Sequence, residues 1–168
     1  MKNSIITYLL GFFFLITCFK AIGETSKFSD PDVCLEINGK IANAAEGSDE
    51  TCLVELFTAN TLVSWATLKD GKKSFRFALK KNSVYTIRIS KRGYISRLVC
   101  IDTKTPLDPE DMYSFSFETK LIKTEEAEKL NKEFLDLPIA LIYYEIKNDC
   151  FIYDKEYTSR IKKEVALK

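Results

Sequence analysis

Histidine is absent from all 168 residues, and that absence removes several chemistries. A serine or cysteine hydrolase needs a base beside its nucleophile, most often histidine, and no G-x-S-x-G elbow occurs either. Zinc is disfavoured for the same reason. The five cysteines include no C-x-x-C pair, and the commonest partner ligand is missing. No D-x-D-x-D-G run exists to wrap calcium. The acids Asp108, Glu110 and Asp111, and Asp149 with Asp154, therefore read as solvated loop charge. An excess of one charge is lacking too: 25 Lys and Arg balance 24 Asp and Glu. Basic runs such as Lys80-Lys81 and Lys91-Arg92 are two residues long, which argues against nucleic acid as a partner. No cofactor, no metal and no catalytic residue are expected.

Long apolar runs are scarce, and the one present lies at the start. Lys2 precedes a largely apolar stretch from Ile5 to Phe19, and Ala21-Ile22-Gly23 follows with small residues. This is the pattern of a signal peptide over 1–23, cut before Glu24. The run is shorter than the ~20 residues that span a bilayer. A second possibility is lipid attachment at Cys18, after Leu15-Ile16-Thr17, and it would be the only membrane link. Both readings export the protein, to the periplasm or the outer membrane. Removing Lys2 and Lys20 leaves 23 basic residues against 24 acidic ones, a net charge of −1. Cys34, Cys52, Cys100 and Cys150 remain, with three complete pairings open to them. Buried thiols are the simpler reading, because cysteine packs as a small hydrophobe.

What the chain does have is alternation. Residues 24–32 are polar and expected to be flexible. Tyr85, Ile87 and Ile89 alternate with Thr86, Arg88 and Ser90, the period of a strand buried on one face. Lys91-Arg92-Gly93 breaks it, and a second strand follows from Tyr94 to Asp102, giving a hairpin. Val33 to Ile41 is a first strand, with Gly39 at a bulge or close approach. Cys52 to Phe57 is a second, with Cys52, Val54 and Leu56 inward, and Ala59-Asn60 turns it into Thr61 to Leu68. Asp70-Gly71 is the strongest short hairpin signal, leading to Ser74 to Leu79 with Phe75, Phe77 and Leu79 on one side. Met112 to Leu121 alternates Tyr113, Phe115 and Phe117 and suits a sheet edge. Thr124 to Leu135 reads as one helix, with Ala127, Leu130 and Phe134 as its stripe. Ile139 to Ile146 and Cys150 to Tyr153 form a last hairpin, and Tyr157 and Ile161 suit a short terminal helix. Many short strands at this spacing predict a mainly β, antiparallel sandwich.

Residues 35 to 103 resemble the carboxypeptidase regulatory-like domain, a transthyretin-like (prealbumin) β-sandwich. Ile37-Asn38-Gly39-Lys40-Ile41 looks like its I-x-G-x-V strand. Val54-Glu55-Leu56 looks like its second strand, and Asp70-Gly71-Lys72-Lys73-Ser74-Phe75 resembles its D-x-x-G-x-F hairpin, with the Gly directly after the Asp. Tyr85-Thr86-Ile87 through Gly93-Tyr94 is similar to its Y-x-L/I strand and G-Y turn. Gly39, Asp70, Gly71, Gly93 and Tyr94 thus mark the fold. The resemblance implies a seven-stranded Greek-key sandwich over 33–103, with 104–168 as a C-terminal strand, helix and hairpin extension packed on it. It also implies a non-catalytic module that binds another envelope protein. A carbohydrate-binding accessory role is the alternative, with Tyr143, Tyr144, Tyr153 and Tyr157 as the contact residues for partner or glycan. Adjacent Tyr143 and Tyr144 on a strand point to opposite faces.

Overall fold

The computed structural model describes residues 18–20, 30–46, 51–105 and 112–166. Most of the expected leader and flexible segment, and the acids at 108–111, lie outside the described residues. The chain is mainly β. One sheet has four strands in the order β1 (Cys18–Lys20), β9 (Tyr113–Thr119), β2 (Val33–Ile41), β5 (Ser74–Lys80). The other has six: β12 (Cys150–Tyr153), β11 (Ala140–Glu145), β8 (Arg97–Asp102), β6 (Val84–Lys91), β3 (Cys52–Thr58), β4 (Thr61–Leu68). A two-stranded ribbon pairs β7 (Tyr94–Ile95) with β10 (Ile122–Lys123).

The inward residues are the ones the alternation selects. Leu35 and Ile37, Val54 and Leu56, Phe75 and Phe77, Ile87 and Ile89, and Phe115 and Phe117 are all buried in one core shared by the two sheets. The β-sandwich is as expected, but its pairing is mixed and not purely antiparallel. The sheets hold four and six strands, and two pairings are parallel, β2 with β9 and β8 with β11. Residues after 103 do more than pack on the sandwich, since they supply strands to both sheets. β9 lies between β1 and β2 and is not an edge.

Two turns need positive φ and have it. Ala59 and Asn60 (φ 46° and 63°) close the β3–β4 hairpin, as a type I′ turn requires. Asp70 and Gly71 (φ 54° and 81°) make the same local turn, with Lys72 N–H donating to Lys69 O at 3.0 Å. The expected hairpin does not follow, because β4 and β5 belong to different sheets. The chain uses this turn to cross the sandwich. The Tyr85–Asp102 hairpin is present as β6 and β8, from Val84↔Asp102 to Ile89↔Arg97. Its second strand is interrupted at Ser96, because β7 departs to pair with β10.

The helix expected over 124–135 is also shorter. α1 (Thr124–Ala127) ends early, and a 3-10 turn follows at Lys132–Phe134. Asn131 is extended and its side chain accepts from Glu133 N–H at 3.2 Å, while its own N–H donates to Val165 O at 3.0 Å. A side chain that satisfies backbone locally competes with the helix. The apolar stripe still packs: Ala127 is buried, and Leu130 and Phe134 lie partly buried, in a second small core with Leu135 and with Ile161 and Val165 of α2 (Lys155–Ala166). Asp154 starts α2 by accepting from Tyr157 N–H at 2.8 Å. No helix among the described residues is long and apolar enough to cross a membrane.

Candidate functional site

The two sheets present different faces to solvent. On the four-stranded sheet, outward residues form a polar ladder. Asn38 donates to Glu36 at 3.0 Å and to Ser114 Oγ at 3.3 Å, and accepts from Arg76 Nε at 3.1 Å. Lys40 meets Glu118 at 3.2 Å. Such a face is satisfied by itself and by water.

On the six-stranded sheet the outer corner at β4 is apolar. Trp65 is 65% exposed, Val63 48% and Leu62 45%. Among the described residues β4 has β3 on one side only, and its other edge carries no strand. Its register explains the exposure. Leu68, Ala66 and Ser64 face Cys52, Val54 and Leu56 inward, which turns Trp65 outward beside Glu55. Val63 is the extra residue where the register shifts between Leu56 and Phe57. Next to Trp65, Glu55 accepts a bidentate pair from Arg88, at 2.9 Å from Nε and 3.1 Å from Nη2. That hydrogen bonding raises the Arg88 pKa further above its ordinary value. Arg88 also lies over the Phe57 ring, 4.8 Å from its centroid. The corner thus combines one large exposed ring, two aliphatic side chains and one fixed ion pair.

The tyrosines expected as contact residues do not form a platform. Tyr143 is exposed at 39%, while Tyr144 turns to the core and packs against Tyr113 and Phe151 at 5.6 Å. Tyr113 and Tyr144 both donate to Asp149 Oδ1, at 2.5 and 2.6 Å. This ties β9 of one sheet to the β11–β12 turn of the other, where Asp149 has a φ of 50°. Burial, with that hydrogen bond next in size, pushes the Tyr113 phenol well above its ordinary range. Tyr153 is partly buried against the core, and Tyr157 donates to Pro138 O at 2.9 Å. Tyr113, Tyr144 and Asp149 form a clamp between the sheets, and the hydroxyls of Tyr113, Tyr144 and Tyr157 are engaged.

Two cations lie inside the fold. Lys91 is 5% exposed and donates to the carbonyls of Asn43, Ala44 and Glu46, at 3.2 and 3.1 Å for the first two, with Tyr94 beneath it at 4.7 Å. All three ammonium protons are used, so Lys91 fastens the loop after β2. Arg97 shares the inward side with Ile89, and its Nε and Nη1 are sealed from solvent without a hydrogen-bond partner. Burial lowers its pKa to about 10, still far above neutrality.

Of the fold-marking residues, Gly93 has a φ of 76° at the turn after β6. Tyr94 lies over Lys91. Cys34, Cys52 and Cys100 carry free thiols, those of Cys34 and Cys52 fully buried. Sequence reasoning placed Trp65 on a strand without marking it as a contact. The signal was there in Thr61–Leu68, a strand with no charged residue, but which strand lies at an edge is decided by pairing. No protein-family model matches the chain, and no curated protein matches it.

Proposed function

We propose that this chain is an exported, non-catalytic β-sandwich module of the carboxypeptidase regulatory-like kind. It acts as a binding or structural component of the bacterial cell envelope and holds a protein partner at the β4 corner. The observation that carries the reading is the exposure of Trp65, 65%, beside a sheet edge that no strand among the described residues covers. Buried aromatic anchors contribute a large share of interface energy, and an unpaired edge offers a partner backbone hydrogen bonds. The polar ladder on the opposite sheet supplies neither.

The test is a photo-crosslinking residue at Thr67, exposed and two residues from Trp65, in the native envelope. An adduct with a discrete protein that is lost in Trp65→Ala supports the reading. No adduct, or one indifferent to Trp65→Ala, overturns it. The glycan reading draws on the same ring, because a tryptophan face beside a fixed Glu–Arg pair suits a sugar. It requires binding on a glycan array that Trp65→Ala abolishes, and a null array removes it. Binding lost only in Tyr143→Ala would return the site to the tyrosines.

A further inference from the structure

We infer that the partner at β4 includes a second copy of this chain, paired edge to edge across a two-fold axis to continue the six-stranded sheet. The inference rests on the reading of the β4 corner as a contact surface. Edge strands that avoid association carry charges, prolines or an inward-turned lysine. Thr61–Leu68, TLVSWATL, has none of these over eight residues. Its one irregularity, the register shift at Val63, lies towards the N-terminal end and leaves Ser64 to Leu68 as a regular ladder.

Charge selects the occupant and its direction. Lys69, Lys72 and Lys73, with Asp70 the one acid among them, follow the C-terminal end of β4 and leave it net positive, and Ala59-Asn60-Thr61 at the other end is neutral. Two copies side by side in parallel would bring both lysine clusters together. Antiparallel copies place each cluster at opposite ends of the shared ladder, against the neutral turn of the other. An uncharged centre meets itself without a like-charge pair, which a cross-strand contact would penalise. Antiparallel pairing about a two-fold axis also consumes both edges and closes, so it ends at two chains. An axis near Ala66 sets Trp65 of each copy beside Thr67 of the other, covering both exposed rings.

The single tryptophan of the chain makes the contact readable. Sedimentation of the purified exported protein is expected to show a species of twice the chain mass. Trp65 fluorescence should shift to the blue as concentration rises. Trp65→Lys and Trp65→Glu, each alone, are expected to be monomeric with unchanged circular dichroism, because the ring is exposed and supports no core. An equimolar mixture of the two should restore the double mass. A wild-type chain that stays monomeric with constant emission overturns the inference, as does a dimer that Trp65→Lys leaves intact. A monomer that still gives the Thr67 adduct with another protein rejects the second copy and keeps the contact surface. A monomer without any adduct rejects both.

Discussion

The Phe75 ring occupies the space where any other residue at position 39 would carry its side chain. A Cβ built on Gly39 falls 2.1 Å from Phe75 Cζ, and the two residues face each other across β2 and β5. Phe75 cannot swing away freely, because Phe77 and Phe117 pack against it at 5.4 and 5.9 Å. The fold-marking glycine is therefore a seat for an aromatic ring. Gly39→Ala is expected to cost about 3 kcal/mol, at the upper end of overpacking penalties, measured by urea unfolding. An unchanged midpoint would mean that the ring has another place to go.

Arg97 is expected to be a stability defect. Two of its nitrogens are sealed without partners, and an unsatisfied buried donor costs about 1–3 kcal/mol. Arg97→Met keeps the length and removes the donors. It should raise the urea midpoint, by about 1 kcal/mol or more in stability. A loss of stability instead would show that the guanidinium has a partner in solution.

The buried thiols give a pH dependence. Burial pushes Cys34 and Cys52 up to about 11 from 9.0, so both stay neutral in the folded chain where unfolded thiols already ionise. A raised folded pKa stabilises fully below the unfolded value, and that contribution fades as pH climbs from there towards about 11. Between pH 8 and 9.5 tyrosines in unfolded chains, with pKa ~10, are mostly neutral. Stability should fall across that window, and less so in Cys34→Ala/Cys52→Ala. Alkylation at pH 8 followed by mass spectrometry should leave Cys34 and Cys52 unmodified until denaturant is added.

How much of this was legible follows from range. The burial of Tyr85, Ile87 and Ile89, and the turn at Ala59-Asn60, follow from alternation and backbone preference within a few residues. Asp70-Gly71 shows where that stops. The turn forms with the φ values its residues favour, yet the strands on either side join different sheets. Turn chemistry fixes four residues and has no hold on which sheet accepts the next strand. The 124–135 helix failed for a local reason, Asn131 holding Glu133 N–H, which an apolar stripe does not register. Tyr143 and Tyr144 read alike in the sequence, because an aromatic pair on a strand gives no sign that one hydroxyl is shared with Tyr113 on Asp149.

Strand β2 has its hydrogen-bonding neighbours on opposite sides at very different distances along the chain. β5 arrives within about 40 residues, whereas β9 comes later: Asn43, just past β2, both accepts from and donates to the backbone of Leu121 across 78 residues. Pairings of that separation close large loops and slow a chain down. A ribosome that has released the first hundred residues has therefore produced β2 with one side still bare. The four-stranded sheet can be completed only once Thr119 has been made, so truncation before β9 should yield a species that sticks to its neighbours and not a smaller working unit.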